Sequence, residues 1–214
     1  RRIASISVVH KLKGHYLDTK HPLIMENLLG IKRVKGSNQK AKKPILINDL
    51  KLIIKAINDS KEKYIRKLRD KTIFLVGFSG GFRRSELVAI DYEDIEFVSE
   101  GVKIFVKRSK TDQSGEGMVK AIPYFDNEEF CPVKNLRLWI TQSNINTGKI
   151  FNISDKSVAL IIKKYAKFAG LDSTKYAGHS LRSGFATSTA ESGAEERNIM
   201  AMTGHKTTQM VRRY

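Results

Sequence analysis

Apolar positions in this chain fall on a helical repeat for most of its length and on an alternating one in a single region. Leu50, Ile53, Ile54 and Ile57 stand at i, i+3, i+4 and i+7, one face of a helix that Asn48 is placed to cap. A second helix is expected near 62 to 79, ending at Gly80-Gly81, and a short third one over Arg83 to Ile90. The period then changes. Val102, Ile104 and Val106 alternate with Lys103, Phe105 and Lys107, which reads as a strand. The polar turn Asp112-Gln113-Ser114-Gly115-Glu116-Gly117 leads to a second strand over Met118 to Ile122, and the two make a hairpin. Helical spacing returns after Pro132, again at Val158, Ile161, Ile162 and Tyr165, and in two or three short helices from His179 onward. The expected fold class is therefore mainly α with a small antiparallel β-sheet, an α+β arrangement without internal repeats or low-complexity tracts.

Residues 1–34 mix apolar and basic positions as short helices do. Lys35-Gly36-Ser37-Asn38-Gln39-Lys40-Ala41-Lys42-Lys43-Pro44 follows, a linker by composition with four lysines and no acid. A basic linker over 35–45 is thus expected to separate an N-terminal helical piece, 1–34, from a larger domain, 46–214. Lys40, Lys42 and Lys43 suit a phosphate backbone, with a solvated tether as the equal alternative. His10, His15 and His21 fall in the N-terminal piece and read as surface residues. The start on Arg-Arg and the stop on Tyr read as a longer protein trimmed at both ends.

Charge narrows the class of partner. Lys and Arg number 39 against 22 Asp and Glu, a net +17, so a polyanion is expected. Nucleic acid and anionic membrane both fit that sign, but the longest apolar run, Ile73 to Phe78, is core-sized, far short of the roughly 18 to 20 residues a span needs. No membrane role and no secretory leader are read, and a cytoplasmic location is the default expectation. Cys131 has no second thiol to pair with and reads as a packing residue.

The last third of the chain contains Gly178-His179-Ser180-Leu181-Arg182-Ser183-Gly184, then Thr203-Gly204-His205-Lys206, then Arg212-Arg213-Tyr214. At a helix start, His179 and Arg182 share a face and both can point at one anion, with the helix N-terminus behind them. A His-x-x-Arg alone is most often a surface pair, and a lone tyrosine, with a pKa near 10, is a poor nucleophile without help. The reading rests on the combination. Upstream, Gly80-Gly81-Phe82-Arg83-Arg84-Ser85-Glu86-Leu87 turns tightly and delivers an arginine to a helix start, and Ser109-Lys110-Thr111-Asp112 puts a lysine at the hairpin tip.

In order, spacing and local wording these segments resemble the tyrosine recombinases, or phage-type integrases, over roughly residues 45 to 214. The family's Arg-x-Ser-Glu-Leu helix matches at Arg83, its hairpin lysine at Lys110, its His-x-x-Arg at His179 and Arg182, and its Gly-His at Gly204-His205. Its nucleophilic tyrosine stands nine residues beyond that histidine, as Tyr214 stands beyond His205. The resemblance implies that residues 1–34 are the tail of a helical core-binding domain, SAM-like in fold, and that relatives continue past the tyrosine with a helix that docks on a neighbouring subunit.

It also implies a chemistry: metal-free phosphoryl transfer, in which the tyrosine oxygen displaces a DNA 5′-hydroxyl and leaves a 3′-phosphotyrosine link. No cofactor is expected. With no magnesium to neutralise the phosphate, fixed donors must, and the forked, always ionised guanidinium suits Arg83 and Arg182 to that role. By the resemblance Lys110 is the general acid, His179 the acceptor of the Tyr214 proton, and His205 a donor to the scissile phosphate. Glu86, three residues past Arg83, is expected to orient it. Arg84 is a DNA contact, or the true ligand should the helix register shift by one; Arg212 and Arg213 are read as backbone contacts. Tyr92, Tyr124 and Tyr165 lie off the family spacing. Double-stranded DNA is the expected partner, with a homotetramer, or a tetramer with a related chain, on paired sites. Rival readings are a silent DNA-binding module, a type IB topoisomerase and, weakest, a metal-dependent nuclease.

Overall fold

The computed structural model describes residues 2–36, 42–107, 116–204 and 207–208. The chain divides into two compact units, Arg1–Ala41 and Lys42–Tyr214. The first holds α1 (Arg2–Leu12) and α2 (Pro22–Lys35), neither of which buries a residue. Pro22 opens α2, where a missing N–H costs nothing, and the His21 Nδ1 accepts the Leu23 N–H at 3.3 Å.

The second unit is built around one buried helix. It contains α3 (Ile47–Asp59), α4 (Tyr64–Ser79) and the single turn α5 (Arg84–Leu87). The strands β1 (Ile95–Val98), β2 (Gly101–Val106) and β3 (Met118–Pro123) follow, then α6 (Pro132–Gln142), α7 (Asp155–Phe168), α8 (Ser180–Glu191) and α9 (Glu196–Thr203). From Thr72 to Ser79 every residue of α4 is buried, because α3, α6, α7 and α8 all pack against that helix. The apolar run Ile73 to Phe78 is therefore the centre of the core.

The apolar face Leu50, Ile53, Ile54, Ile57 is buried as its spacing requires. The start of α3 differs from expectation. Leu46 occupies the cap position and makes no side-chain cap, so Asn48 lies inside the first turn. The helix begins early because the preceding residue is pinned: the Ile45 N–H donates to the Ser180 carbonyl at 2.9 Å, and Ile45 is wholly buried. The expected helix over Arg83 to Ile90 shrinks to Arg84–Leu87, and Ile90 instead accepts from the Ile150 N–H at 3.1 Å.

The sheet is antiparallel in the order β1-β2-β3, one strand more than the hairpin that the alternation predicted. Gly101, Val102, Ile104 and Val106 of β2 are buried while Lys103 and Phe105 face out. On β3 the polarity inverts at one step, since Lys120 is wholly buried and its neighbour Val119 is exposed. Cys131 is buried with a free thiol, and among the described residues no helix is long and apolar enough to cross a membrane.

Candidate active site

The site begins where α4 ends. Gly81 has φ +55, a left-handed conformation that glycine enters without strain, and a Cβ there would stand 2.9 Å from the Phe185 ring. The turn is closed by the Gly81 N–H on the Phe78 carbonyl and the Phe82 N–H on the Gly77 carbonyl, both at 3.0 Å. The chain leaves it extended through Arg83, which caps α5.

Glu86, in the third position of α5, reaches back to Arg83. One carboxylate oxygen accepts the Arg83 backbone N–H at 2.9 Å and the other accepts from the guanidinium Nη1 at 2.5 Å. Glu86 is almost wholly buried. Burial alone raises its carboxyl, but the Arg83 amide and guanidinium, with the Lys120 ammonium, hold it below the usual carboxylate range.

Arg182 comes from the first turn of α8 and donates through Nη1 to the Gly81 carbonyl at 3.0 Å, in a buried position. Its helix is held close. The Ser180 Oγ accepts the Ala177 N–H at 2.9 Å, and a Cβ on Gly184 would stand 1.9 Å from the Ile45 carbonyl oxygen. Arg83 and Arg182, more than ninety residues apart in the chain, thus meet at one glycine turn. His179 caps α8 and is exposed; its carbonyl accepts the Ser183 N–H and Oγ–H, each at 2.9 Å.

Sequence reasoning missed Lys120. Its Nζ donates to the Gly80 carbonyl at 2.8 Å and to the Met202 carbonyl at the end of α9, and lies 4.9 Å from the centre of the Phe82 ring. Desolvation lowers its pKa to about 7; Glu86 opposes the shift, while Arg182 and Arg83 add to it. The signal was present, because Lys120 is two residues before the buried Ile122 on the same strand and must face the same side.

The other expected residues are placed as follows. The Arg84 side chain lies over Gly178, with its guanidinium 3.7 Å from Asp155 of α7. Lys42 donates to the Thr174 carbonyl at 2.7 Å, and Lys43 pairs with Asp49 at 3.2 Å, so both lean on the domain. Tyr165 is wholly buried, its hydroxyl donating to Asp70 at 3.1 Å. Lys40, Lys110, His205, Arg212, Arg213 and Tyr214 lie outside the described residues. Among the described residues no three His, Cys, Asp or Glu side chains are grouped to hold a metal ion.

A helical domain with a three-stranded sheet, presenting two arginines at one glycine turn, has the architecture of a tyrosine recombinase catalytic domain. The phage integrase family profile matches residues 45–214, and the chain belongs to that family. An integrase/recombinase xerD homolog of Selenomonas ruminantium is 42% identical over 229 residues, covering 100% of this chain and 66% of its own length. The tyrosine recombinase XerC of Syntrophus aciditrophicus is 29% identical over 160 residues, covering 69% of this chain and 48% of that protein. Among solved structures, the XerH site-specific recombinase bound to difH substrate superposes with a TM-score of 0.67 at 16% identity, covering 82% of this chain and 51% of that one. The chain spans between about half and two thirds of these relatives.

Proposed function

We propose that this chain carries the strand-cleaving and strand-joining chemistry of a site-specific DNA recombinase, with Tyr214 as nucleophile and a 3′-phosphotyrosine intermediate. The observation that carries the reading is the meeting of Arg83 and Arg182 at the Gly80-Gly81 turn in a chain of net charge +17. Two guanidiniums held in low dielectric stabilise the charge that gathers on the non-bridging phosphate oxygens without reorganising during the reaction.

In this reading the Tyr214 oxygen bonds to phosphorus as the bond to the 5′-oxygen breaks. His179 takes the phenolic proton, Lys110 protonates the leaving 5′-oxygen, and His205 donates to the phosphate. Rejoining is the reverse. Glu86 keeps the Arg83 fork from turning away, which its two hydrogen bonds favour. The partner is double-stranded DNA, a reading favoured by the charge and by the XerH relative bound to its difH substrate. The working assembly is a tetramer of this chain, or of this chain with a related one, on paired sites, in the cytoplasm.

The test uses nicked suicide duplexes carrying sites from DNA flanking the coding gene, with the parent chain and Tyr214→Phe. The expected result is an SDS-resistant protein–DNA adduct from the parent and none from the variant. An adduct that survives in Tyr214→Phe overturns the nucleophile. Tight DNA binding by a full-length protein without any adduct favours a silent binding module.

A further inference from the structure

Burying a lysine completely is costly unless its head is fully served, and Lys120 has no part in the chemistry above. Its Nζ lies between two helix ends. Gly80 caps the C-terminus of α4, and Met202 is in the last turn of α9. Carbonyls in a helix's final turn have no partner within the helix and carry the negative end of its dipole, so a cation there satisfies both needs. One amine thus closes two helices that come from opposite ends of the domain. Phe82, between Gly80 and Arg83, lies against the same ammonium.

What these two carbonyls belong to gives the lysine its task. Gly80 lies three residues before Arg83, and its neighbour Gly81 receives Arg182. Met202 lies two residues before Gly204, whose N–H donates to the Met200 carbonyl at 2.7 Å as α9 ends. Thr203 is wholly buried, and its hydroxyl donates within α9 to the Ile199 carbonyl at 2.6 Å.

We propose that Lys120 is a positioning residue that fastens the end of α9, which closes at Gly204, to the turn presenting Arg83 and Arg182. The proposal rests on the reading of this site as the cleavage site. Lys120 acts through the segments that carry the reacting groups and does not touch DNA, since none of its surface is exposed. Its reduced basicity is compatible with that role, because a neutral amine still has two N–H donors for two carbonyls. The groups that face it are Glu86 from α5, Arg83 from the turn and Arg182 from α8.

The experiment compares the parent chain with Lys120→Met, which fills the same space without a donor. Amide hydrogen exchange is followed in peptides covering 80–86 and 196–204, with α6 and α7 as internal controls. The expected result is exchange faster by about tenfold or more at the two junctions, with the controls unchanged. In the suicide-substrate assay the adduct should form about tenfold or more slowly at saturating DNA while affinity stays within about twofold. Lys120→Arg, which keeps two donors, is expected to restore both readings.

Unchanged exchange, or exchange raised equally throughout the domain, overturns the proposal, as does a junction that loosens with no loss of rate. Absence of any adduct from the parent overturns the reading of the site, while the exchange data still decide whether Lys120 fastens the two helix ends. Should Lys120→Met fail to fold, Lys120→Gln is measured against the same criteria.

Discussion

The Glu86 carboxylate holds Arg83 at two points, the guanidinium at 2.5 Å and the backbone N–H at 2.9 Å. Side chain and main chain of the arginine are thereby fixed by one acidic group. Glu86→Gln keeps the shape and removes the charge, leaving Arg83 and Lys120 with an uncompensated buried field. The variant is expected to lose about 3 kcal/mol of stability in denaturant titrations and to form adduct at least about tenfold more slowly. Because the native carboxyl is held below its usual range, this stabilisation is present above the unfolded-state value and is lost as pH falls through the folded one. The gap between parent and variant should therefore narrow in acid.

Lys120 gives a dependence of the same sign in a higher window of pH. Its amine titrates near 7 in the folded domain and near 10.5 when unfolded, so between those values the unfolded chain binds the extra proton. The penalty for burying the charge is fully present below pH 7 and falls away as pH rises through that window. Measured against Lys120→Met, parental stability should climb with pH by up to about 1.4 kcal/mol per unit between pH 7.5 and 9.5. A flat difference would show that Lys120 keeps an ordinary pKa.

Tyr165 offers a control for the nucleophile. Burial and the nearby Asp70 push its phenol well above its ordinary range, opposite to what an attacking phenolate requires. Asp70 also binds Arg69 at 2.7 Å, so the tyrosine hydroxyl completes a buried polar cluster. Tyr165→Phe is expected to cost about 1–2 kcal/mol in thermal or chemical unfolding and to leave the adduct yield at a permissive temperature unchanged.

Gly184 sets how closely α8 approaches the entry to α3. A methyl group 1.9 Å from the Ile45 carbonyl oxygen must push the two segments apart. Gly184→Ala should destabilise the domain by about 2–3 kcal/mol, despite alanine's better helix propensity, and shift Arg182 away from the Gly81 carbonyl. Unfolding curves and cleavage rates would both register it.

The net charge of +17 predicts that DNA affinity is dominated by phosphate contacts. Between about 50 and 200 mM salt, affinity for any duplex should fall by about a hundredfold or more, which a log–log plot of binding against salt will show.

Much of this fold was legible because periodicity reports burial directly. The α3 face, the α7 face and the β2 alternation are each carried by side chains that contact the core through their own element. The Asn48 cap and the length of α5 were misread because distant partners decide them: Ser180 holds Ile45, and Ile150 takes the carbonyl of Ile90. β1 escaped notice because Ile95-Glu96-Phe97-Val98 is only partly buried and too short to show a period. At the site, Arg83, Glu86 and Arg182 were picked out by motif spacing, and the structure adds the Arg83–Glu86 pair and the Arg182 contact with the Gly81 carbonyl. Lys120 was passed over because a lysine in a basic chain reads as surface, although the alternation with Ile122 turns it inward, opposite Ile104.

The two carbonyls on Lys120 belong to residues 40 and 82 positions away from it. During synthesis the chain emerges from its N-terminal end, so a ribosome that has released residues only as far as Pro123 has already delivered Gly80, Arg83 and Lys120. Met202 and Arg182 are still to come. Until they arrive, the lysine has half its partners and the glycine turn has one of its two clamps. The fold thus withholds the completed turn until the chain has been made as far as Met202, and a product that stops short of Arg182 lacks both partners.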